Sequence, residues 1–279
     1  MKASIILSTY NSPEWLKKVI WGYSFQTQRN FELIIADDGS TAQTAELIDE
    51  MRDSTGLEIK HIWQSDKGFR KCRILNKAIL HVKESYVIFS DGDCIPRADF
   101  VKTHLSKAEP NRFVSGSYFK LPMETSKAIE IDQIKSGECF KPSWLLKHGL
   151  RPSRKLLKIS TGPHLARFLN CITPVNCNFK GSNAAAWLTD ILHVNGFDER
   201  MPWGGEDREF GVRLVNSGIR PKHAWYDAVC LHLDHARGYV DPVQVKKNKA
   251  LRIYNHKNKV VRTEFGIEQL IQAGYSSDS

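Results

Sequence analysis

"YVIFSDGD", Tyr86 to Asp93, decides the fold. Its first four residues are apolar and of strand-forming type; Ser90, Asp91, Gly92 and Asp93 follow at once. A strand apolar on both sides of its pleat needs cover on both faces, as in a parallel sheet. The two carboxylates then stand just past the strand end, around a glycine that permits a tight turn.

The same design recurs upstream. "SIILSTYN" (4–11), "FELIIADD" (31–38) and "LEIKHIWQ" (57–64) read as three further strands. Between them lie helical patterns. "SPEWLKKVIWGY" opens with Ser12 as N-cap and Pro13 in its first turn, and puts Trp15, Val19, Ile20 and Tyr23 on one face. A second helix runs through Ala45, Ile48 and Met51 and stops before Gly56; a third runs from Arg70 to Val82, and a fourth from Ala98 to Ala108. This alternation predicts an α/β fold, a mostly parallel sheet with helices on both faces. Ligands of such sheets bind beyond the carboxyl ends of the strands. "STYN", "DDGS", "QSDKGFR" and "SDGD" each fall there.

The second half is less regular. Residues 120–180 are mixed, and no repeat, low-complexity tract or clear linker divides the chain. One domain with an elaborated second half is the expectation. The length of 279 residues and the 41% apolar content suit a sizeable core. No apolar run approaches the ~20 residues of a membrane span. The start "MKASIILSTYN" lacks the long apolar region of a secretory signal. A cytosolic location with reduced thiols follows as an expectation. The six cysteines (72, 94, 139, 171, 177 and 230) form no CxxC pair, which speaks against zinc and for buried small hydrophobes.

The net charge is +9, and from Phe140 to Thr189 there is no acidic residue. Lys141, Lys147, Arg151, Arg154, Lys155, Lys158, Arg167 and Lys180 all lie in that segment, among Trp144, Leu145, Leu146, Leu150, Leu156 and Leu157. An anionic partner or a solvated basic face explains the cations; a peripheral membrane contact or core packing explains the apolar residues.

Four constellations could carry chemistry. Asp91 and Asp93 could hold a hard divalent cation, Mg2+ or Mn2+, or form a plain Asp-Gly turn. Asp37 and Asp38 could accept from a ribose or base, while Asp38, Ser40 or Thr41 could cap the next helix. In "PWGGEDRE" (202–209), Glu206 and Asp207 begin a helix with Phe210 and Leu214 on one face and Gly218 past its end. Acids in a first turn complement the helix dipole without any catalytic role. Trp203 beside Gly204-Gly205 adds an aromatic face for a sugar ring and a backbone that a ligand can approach closely. In "CLHLDHAR", His232 or His235 could add a nitrogen ligand, favouring Mn2+, or be structural.

These pieces, in this order, resemble family-2 glycosyltransferases of the GT-A fold over about residues 3–108 and 176–236. The block "VNGFDERMPWGGEDREFGVRL" also resembles β-1,4-galactosyltransferases and chondroitin-polymerase-type transferases. The resemblance implies that Ser8, Tyr10 and Asp38 hold uridine and that Arg70 lies near base or phosphate. It implies that Asp91 and Asp93 are the DXD pair on the metal, with Asp91 also at the nucleotide, and that His232 is the late metal ligand, with His235 as the alternative. Gly181 and Asn183 match a loop at the donor sugar. Trp203, Gly205 and Glu206 match sugar or acceptor positions, and Asp207 matches the general base, which a helix amino terminus would keep ionised. Where galactosyltransferases continue "GGED" with aspartates, this chain has Arg208.

The implied enzyme is inverting and metal-dependent. It moves a hexose or N-acetylhexosamine from a UDP-sugar to a saccharide or lipid-linked saccharide acceptor, in surface-polysaccharide or lipopolysaccharide assembly. It would lie in the cytoplasm, with a peripheral contact to the membrane. Residues 1–110 would bind the nucleotide sugar, 111–240 the acceptor, and 241–279 would form a helical extension. A nucleotidyltransferase is the alternative, but "STYNSPEW" lacks the glycines and cations of a phosphate loop. A nucleic-acid-binding module gives no reason for paired carboxylates at three places, and no nucleic-acid partner is expected.

Overall fold

The computed structural model describes residues 1–173, 178–236 and 241–276. In chain order the first half forms β1 (Ala3–Thr9), α1 (Pro13–Ser24), β2 (Phe31–Asp37), α2 (Ala42–Thr55), β3 (Ile59–Trp63), α3 (Lys71–Leu80), β4 (Tyr86–Asp91), β5 (Cys94–Pro96) and α4 (Phe100–Ser106). Then come β6 (Arg112–Ser115), β7 (Ser117–Lys120), α5 (Met123–Ala128), α6 (Ile131–Lys135), α7 (Pro142–Lys147), α8 (Leu157–Ser160) and α9 (Pro163–Ile172). The chain continues through β8 (Asn183–Trp187), α10 (Leu188–His193), α11 (Glu206–Asn216), β9 (Arg220–His223), β10 (Val229–His232), α12 (Pro242–Lys257) and α13 (Ile267–Gln272).

Seven strands make the central sheet in the order β3-β2-β1-β4-β8-β6-β9. β1, β2, β3 and β4 pair in parallel, whereas β8 runs antiparallel to both β4 and β6. The sheet is α/β and mostly parallel, as the uninterrupted apolar runs predict. Ile5, Leu7, Leu33 and Ile35 face one core with Leu16, Val19 and Ile48 of α1 and α2. Ile6, Ile34, Val87 and Phe89 face the other, with Ile74 and Leu75 of α3 and Phe210 and Leu214 of α11. The strand order reverses between β1 and β4, the switch point at which such sheets bind ligands. In that register Ser8 lies opposite Asp91.

A second sheet, β5-β10-β7, stands at the same edge. In it His232 pairs with Cys94. The late histidine is thereby carried to the residue next to Asp93, from 139 positions later in the chain (232 less 93).

Several local expectations need correction. Ser12 stands at the N-cap of α1, but its hydroxyl donates to the Tyr10 carbonyl rather than accepting from the helix. No side chain caps α2: Thr41 is its N-cap without a cap bond, and the Ser40 hydroxyl accepts from the Asn11 N–H. Asn183, expected at the donor sugar, is fully buried. Its amide nitrogen donates to the carbonyls of Ser117 (2.7 Å) and Ala228 (3.0 Å), and its Oδ1 lies 2.9 Å from His104 Nε2. The packing is so close that a Cβ on Gly116 would come within 2.2 Å of that Oδ1. Asn183 is therefore a core bolt between the two sheets. In the basic segment Trp144 and Leu145 are core residues, and Leu150 and Leu156 pack against them, but Leu146 and Leu157 are exposed. Cys72, Cys94, Cys139 and Cys230 are buried, Cys171 is exposed, and Cys177 lies outside the described residues.

The helix that follows "PWGG" is pinned by a buried ion pair. The guanidinium of Arg213 meets Glu209 at 2.7 and 2.9 Å with both side chains fully buried. Asn255 of α12 donates to the same carboxylate, and Arg213 Nη1 donates to the Val194 carbonyl. Arg213→Met strands a buried carboxylate and is expected to cost about 3–5 kcal/mol. Neutralising the exposed Lys17–Glu50 pair is expected to cost under about 1 kcal/mol. Urea denaturation midpoints of the two variants make the comparison.

His104 predicts a pH effect. Burial pushes its imidazole down to about 4 from 6.5, although the bond to Asn183 works the other way. A depressed histidine folds as the neutral form, so its contribution is complete above pH 6.5 and is lost as pH falls from 6.5 towards 4. The full loss is about 3 kcal/mol. His104→Gln, which keeps a donor to Asn183, is expected to flatten that part of the stability–pH curve, measured by urea titration at each pH.

Candidate active site

At the switch point the Asp91 carboxylate accepts at Oδ1 from Ser8 Oγ and from Lys71 Nζ, both at 2.6 Å. The register of β1 on β4 explains the first contact. The second comes from the first residue of α3. Lys71 is a cation at a helix amino terminus, where the dipole disfavours it. Burial also disfavours it, yet the Asp91 carboxylate, with Glu206 and Asp207 beyond, holds its ammonium above the ordinary lysine value. Sequence reading passed over Lys71. The signal was there: the first turn of this helix carries a lysine and no acid.

The ends of β2 and β3 form a second wall. Asp37 is the turn builder: its Oδ1 accepts from the N–H groups of Gly39 and Ser40, and His61 Nε2 lies 3.0 Å from its Oδ2. Asp38 accepts from Gln64 Nε2 and from the Arg70 N–H, both at 2.7 Å. Burial nevertheless raises its carboxyl. Arg70 folds back, its guanidinium donating to the Ser65 carbonyl. Tyr10 is exposed and donates to Asp66 at 2.9 Å.

Asp93 meets a different set of partners. His235 Nε2 lies 3.1 Å and His232 Nε2 3.8 Å from its Oδ2. The two imidazoles stack, with centroids 5.5 Å apart. Each turns Nδ1 to a backbone carbonyl, His232 to Leu233 and His235 to Ala236. With each Nδ1 at a backbone carbonyl, the Nε2 atoms of both rings are gathered at the Asp93 carboxylate. Such a group fits a divalent cation. Among the described residues, ligand atoms of Asp93, Cys94 and His232 lie within 4.8 Å of one another. The Cys94 thiol is held protonated by burial and points its sulfur at Asp93, so it serves as a neighbour rather than a thiolate ligand. The two histidines were alternatives in the sequence; both reach Asp93. Asp91, expected to share the cation, stands outside this cluster with Ser8 and Lys71 on its Oδ1.

The third wall is "PWGGED". Gly204 and Gly205 have φ of 113° and 90°, which favours glycine at both positions. Asn248 of α12 donates to the carbonyls of Pro202, Trp203 and Gly204, clamping the turn. Trp203 is half-buried beside it. Glu206 accepts from the Gly204 N–H at 3.0 Å. Asp207 accepts from Gly181 N–H at 3.2 Å and from its neighbour Arg208 N–H at 2.7 Å. Gly181 thus aims Asp207, and its N–H rather than lack of bulk is what matters, since a Cβ there would meet Asp207 at an ordinary 3.6 Å. Burial raises both acids, and for Glu206 the Asp207 charge adds to it. Burial therefore outweighs the helix dipole at Asp207.

α3 ties these walls together. Cys72 Sγ contacts the Met201 carbonyl, Arg73 pairs with Glu199, and Asn76 bonds the Phe197 carbonyl and N–H. Lys71 is thus held in one frame with Asp91 and with the segment leading into Glu206.

The profile described as "Glycosyl transferase family 2" matches residues 4–169. A second, described as "N-terminal domain of galactosyltransferase", matches residues 170–239. Chondroitin synthase of Escherichia coli is 27% identical over 276 residues, covering 92% of this chain and 40% of that protein. The chain therefore spans well under half the length of that relative. TarS 1-349 of S. aureus in complex with UDP-GlcNAc superposes with a TM-score of 0.62 at 15% identity, covering 100% of this chain and 74% of that one. PcManGT, a mannosyltransferase from Pyrobaculum calidifontis in complex with GDP-Man and Mn2+, gives 0.61 at 17% identity, covering 96% and 66%. At such identities these two likenesses speak for fold. With the first profile matching more than half of its residues, the chain belongs to glycosyl transferase family 2 and is a glycosyltransferase of the GT-A fold.

Proposed function

We propose that this enzyme is an inverting, metal-dependent transferase that moves a hexose or N-acetylhexosamine from a UDP-sugar to a saccharide acceptor. The observation that carries the reading is that Asp91, at the donor switch point, binds Lys71 at 2.6 Å, and the charges of Glu206 and Asp207 act on the same ammonium. Donor site and base then share a cleft. Ser8, Asp38, Arg70 and Tyr10 line the nucleotide side, Asp91 meets ribose or phosphate, and residues 1–110 form the donor half. Residues 111–240 supply the acceptor side, with Trp203, Gly205 and Glu206 against the sugars, and residues 241–279 are the helical extension that clamps the glycine turn. TarS with UDP-GlcNAc and the chondroitin synthase relative support a UDP-sugar; PcManGT with Mn2+ supports the metal.

Asp93, His232 and His235 would hold the cation, and their nitrogen content favours Mn2+ over Mg2+. When bound, the cation offsets the charge of the leaving diphosphate. Asp207 takes the proton of the acceptor hydroxyl as that oxygen attacks the anomeric carbon. The bond to UDP breaks on the opposite face, so one displacement inverts the centre. The Gly181 N–H holds one oxygen of Asp207, and burial raises its basicity. Membership of family 2 sets the nucleotidyltransferase aside. In a panel of nucleotide sugars with Mn2+, UDP-sugar turnover is expected and is to vanish with EDTA. Asp207→Asn is expected to lower it by about 10²–10⁴ with UDP affinity unchanged. Full activity in that variant would sink the assignment of the base.

The acceptor is saccharide, free or lipid-linked, in surface-polysaccharide or lipopolysaccharide assembly, and the enzyme works on the cytoplasmic membrane face. No helix of the described residues is long and apolar enough to cross a membrane. Yet α9 exposes Leu165, Phe168 and Ile172 at helical spacing, and Leu157 is exposed just before it. They lie in the segment that has many cations and no acid. Such a face suits an anionic bilayer. Vesicles rich in phosphatidylglycerol are expected to float the protein at low salt, and Phe168→Asp is expected to abolish flotation; a wild-type protein that stays at the bottom removes the membrane contact.

A further inference from the structure

Asp207 accepts from two backbone donors, and they differ in what they fix. The Arg208 N–H belongs to the same turn of α11 as the acid and moves with it, whereas the Gly181 N–H, 3.2 Å from Oδ2, comes from outside the helix. Gly181 therefore sets the direction of the carboxylate relative to the rest of the site. The segment 179–183 that carries it is held on three sides. Phe179 is fully buried and rests on α11 itself: Gly211, one turn after Asp207, lies so near that a Cβ there would come within 2.7 Å of it. Asn183, the bolt between the sheets, donates its N–H to the Lys180 carbonyl at 2.9 Å, which closes a turn around Gly181. The Lys180 ammonium donates to the Gly116 carbonyl at 3.1 Å and lies 3.8 Å from the centre of the Trp225 ring. Gly116 in turn donates its N–H to the Asn183 carbonyl at 3.0 Å. Lys180, Asn183 and Gly116 thus form a closed set of contacts that spans Gly181.

We propose that Lys180 is a positioning residue for the base: by bonding Gly116 and packing on Trp225, it holds the Lys180–Asn183 turn in the place from which the Gly181 N–H aims Asp207. The inference rests on the reading of Asp207 as the base. Gly181 has no side chain to fix its own position, so the anchors on either side of it must. Lysine suits the task, because an ammonium has three donors and can meet a carbonyl while lying over an aromatic face. Trp225 is itself well fixed. Its carbonyl accepts from Ser117 Oγ, and Asp227, two residues on, is held by Lys107 and by Asn170, both at 2.6 Å. The half-buried Lys180 therefore belongs to the frame of the site, unlike the solvated cations earlier in the same basic segment.

A residue that aims the base and one that only supports the fold differ in which constant they move. Turnover is read as UDP released, with Mn2+ present and water as the acceptor, from the fastest UDP-sugar of the nucleotide-sugar panel; UDP affinity is read by calorimetry. Lys180→Met is expected to lower kcat about 10- to 100-fold while UDP affinity stays within about twofold. The Gly181 N–H favours the ionised acid, so loosening it is expected to move the acid limb of the kcat–pH profile to higher pH. Glu206, Lys71 and Arg208, the other charged groups around Asp207, are the same in both proteins. Lys180→Arg is expected to recover most of kcat, and Trp225→Leu to move kcat and the limb in the same direction as Lys180→Met. In Asp207→Asn there is no base left to aim, so adding Lys180→Met is expected to lower kcat no further. Unchanged kcat in Lys180→Met, equal losses of kcat and UDP affinity, or a full further loss on the Asp207→Asn background each overturn the proposal. If Lys180→Met does not fold, Lys180→Gln carries the same comparison. A wild-type protein without UDP-sugar turnover, or Asp207→Asn at full activity, defeats the reading of donor or base instead, so the two failures are distinct.

Discussion

Like charge is the constraint on which this site is built. Asp91, Glu206 and Asp207 come from β4 and from the start of α11, more than a hundred residues apart, and the charge of each acts on Lys71. The charge of Asp207 raises its neighbour Glu206. Burial raises Glu206 and Asp207 further. Lys71 at 2.6 Å from Asp91 is the fixed positive charge that lets the cluster exist before any ligand arrives. On the far side of Gly92, Asp93 is met by two imidazoles, so the DXD motif divides its two acids between a lysine and a histidine pair.

The fold supplies each of these groups from a different rigid source. The switch of strand order between β1 and β4 sets Ser8 against Asp91. The small sheet sets His232 against Cys94 and hence beside Asp93. The Glu209–Arg213 pair and Asn255 hold α11, and Asn248 holds the glycine turn in front of it. Asn183 bolts the two sheets through Ser117 and Ala228.

The sheet was legible because its strands are apolar on both faces and each ends in polar residues. In the first half, pattern alone carried the order of β1 to β4 with their helices and the edge at which the site forms. Individual side chains were harder. "ADDG" holds two equivalent acids, and only tertiary contact separates the turn builder Asp37 from Asp38, which meets Gln64 and Arg70. Asn183 stands two residues after Gly181 and opens β8, where a ligand-facing residue could lie, yet a neighbour without a Cβ, Gly116, gives its amide room inside the core. The histidines three apart looked like alternatives because a strand would point them to opposite faces. β10 ends at His232, and that break lets His235 turn back to the same carboxylate. In α9 the apolar residues that periodicity would send inward point out, which no local pattern distinguishes from core.

Asp207 shows why a local rule and a site can agree in position and differ in sign. A helix amino terminus favours an acid there and lowers its pKa. The chain obeys the first half: Glu206, Asp207 and Glu209 all lie in the first turn of α11. The second half fails because the same turn is pressed against Gly181 and the Lys71 cleft, where loss of water costs the charged form more than two backbone N–H groups return. For a capping residue that result would be a defect. For a proton acceptor it is useful, since a carboxylate of raised pKa holds a proton better while its two N–H partners keep it aimed. Arg208, exposed next to it, belongs to that balance: its backbone N–H donates to Asp207 and its charge lowers the carboxyl that burial raises.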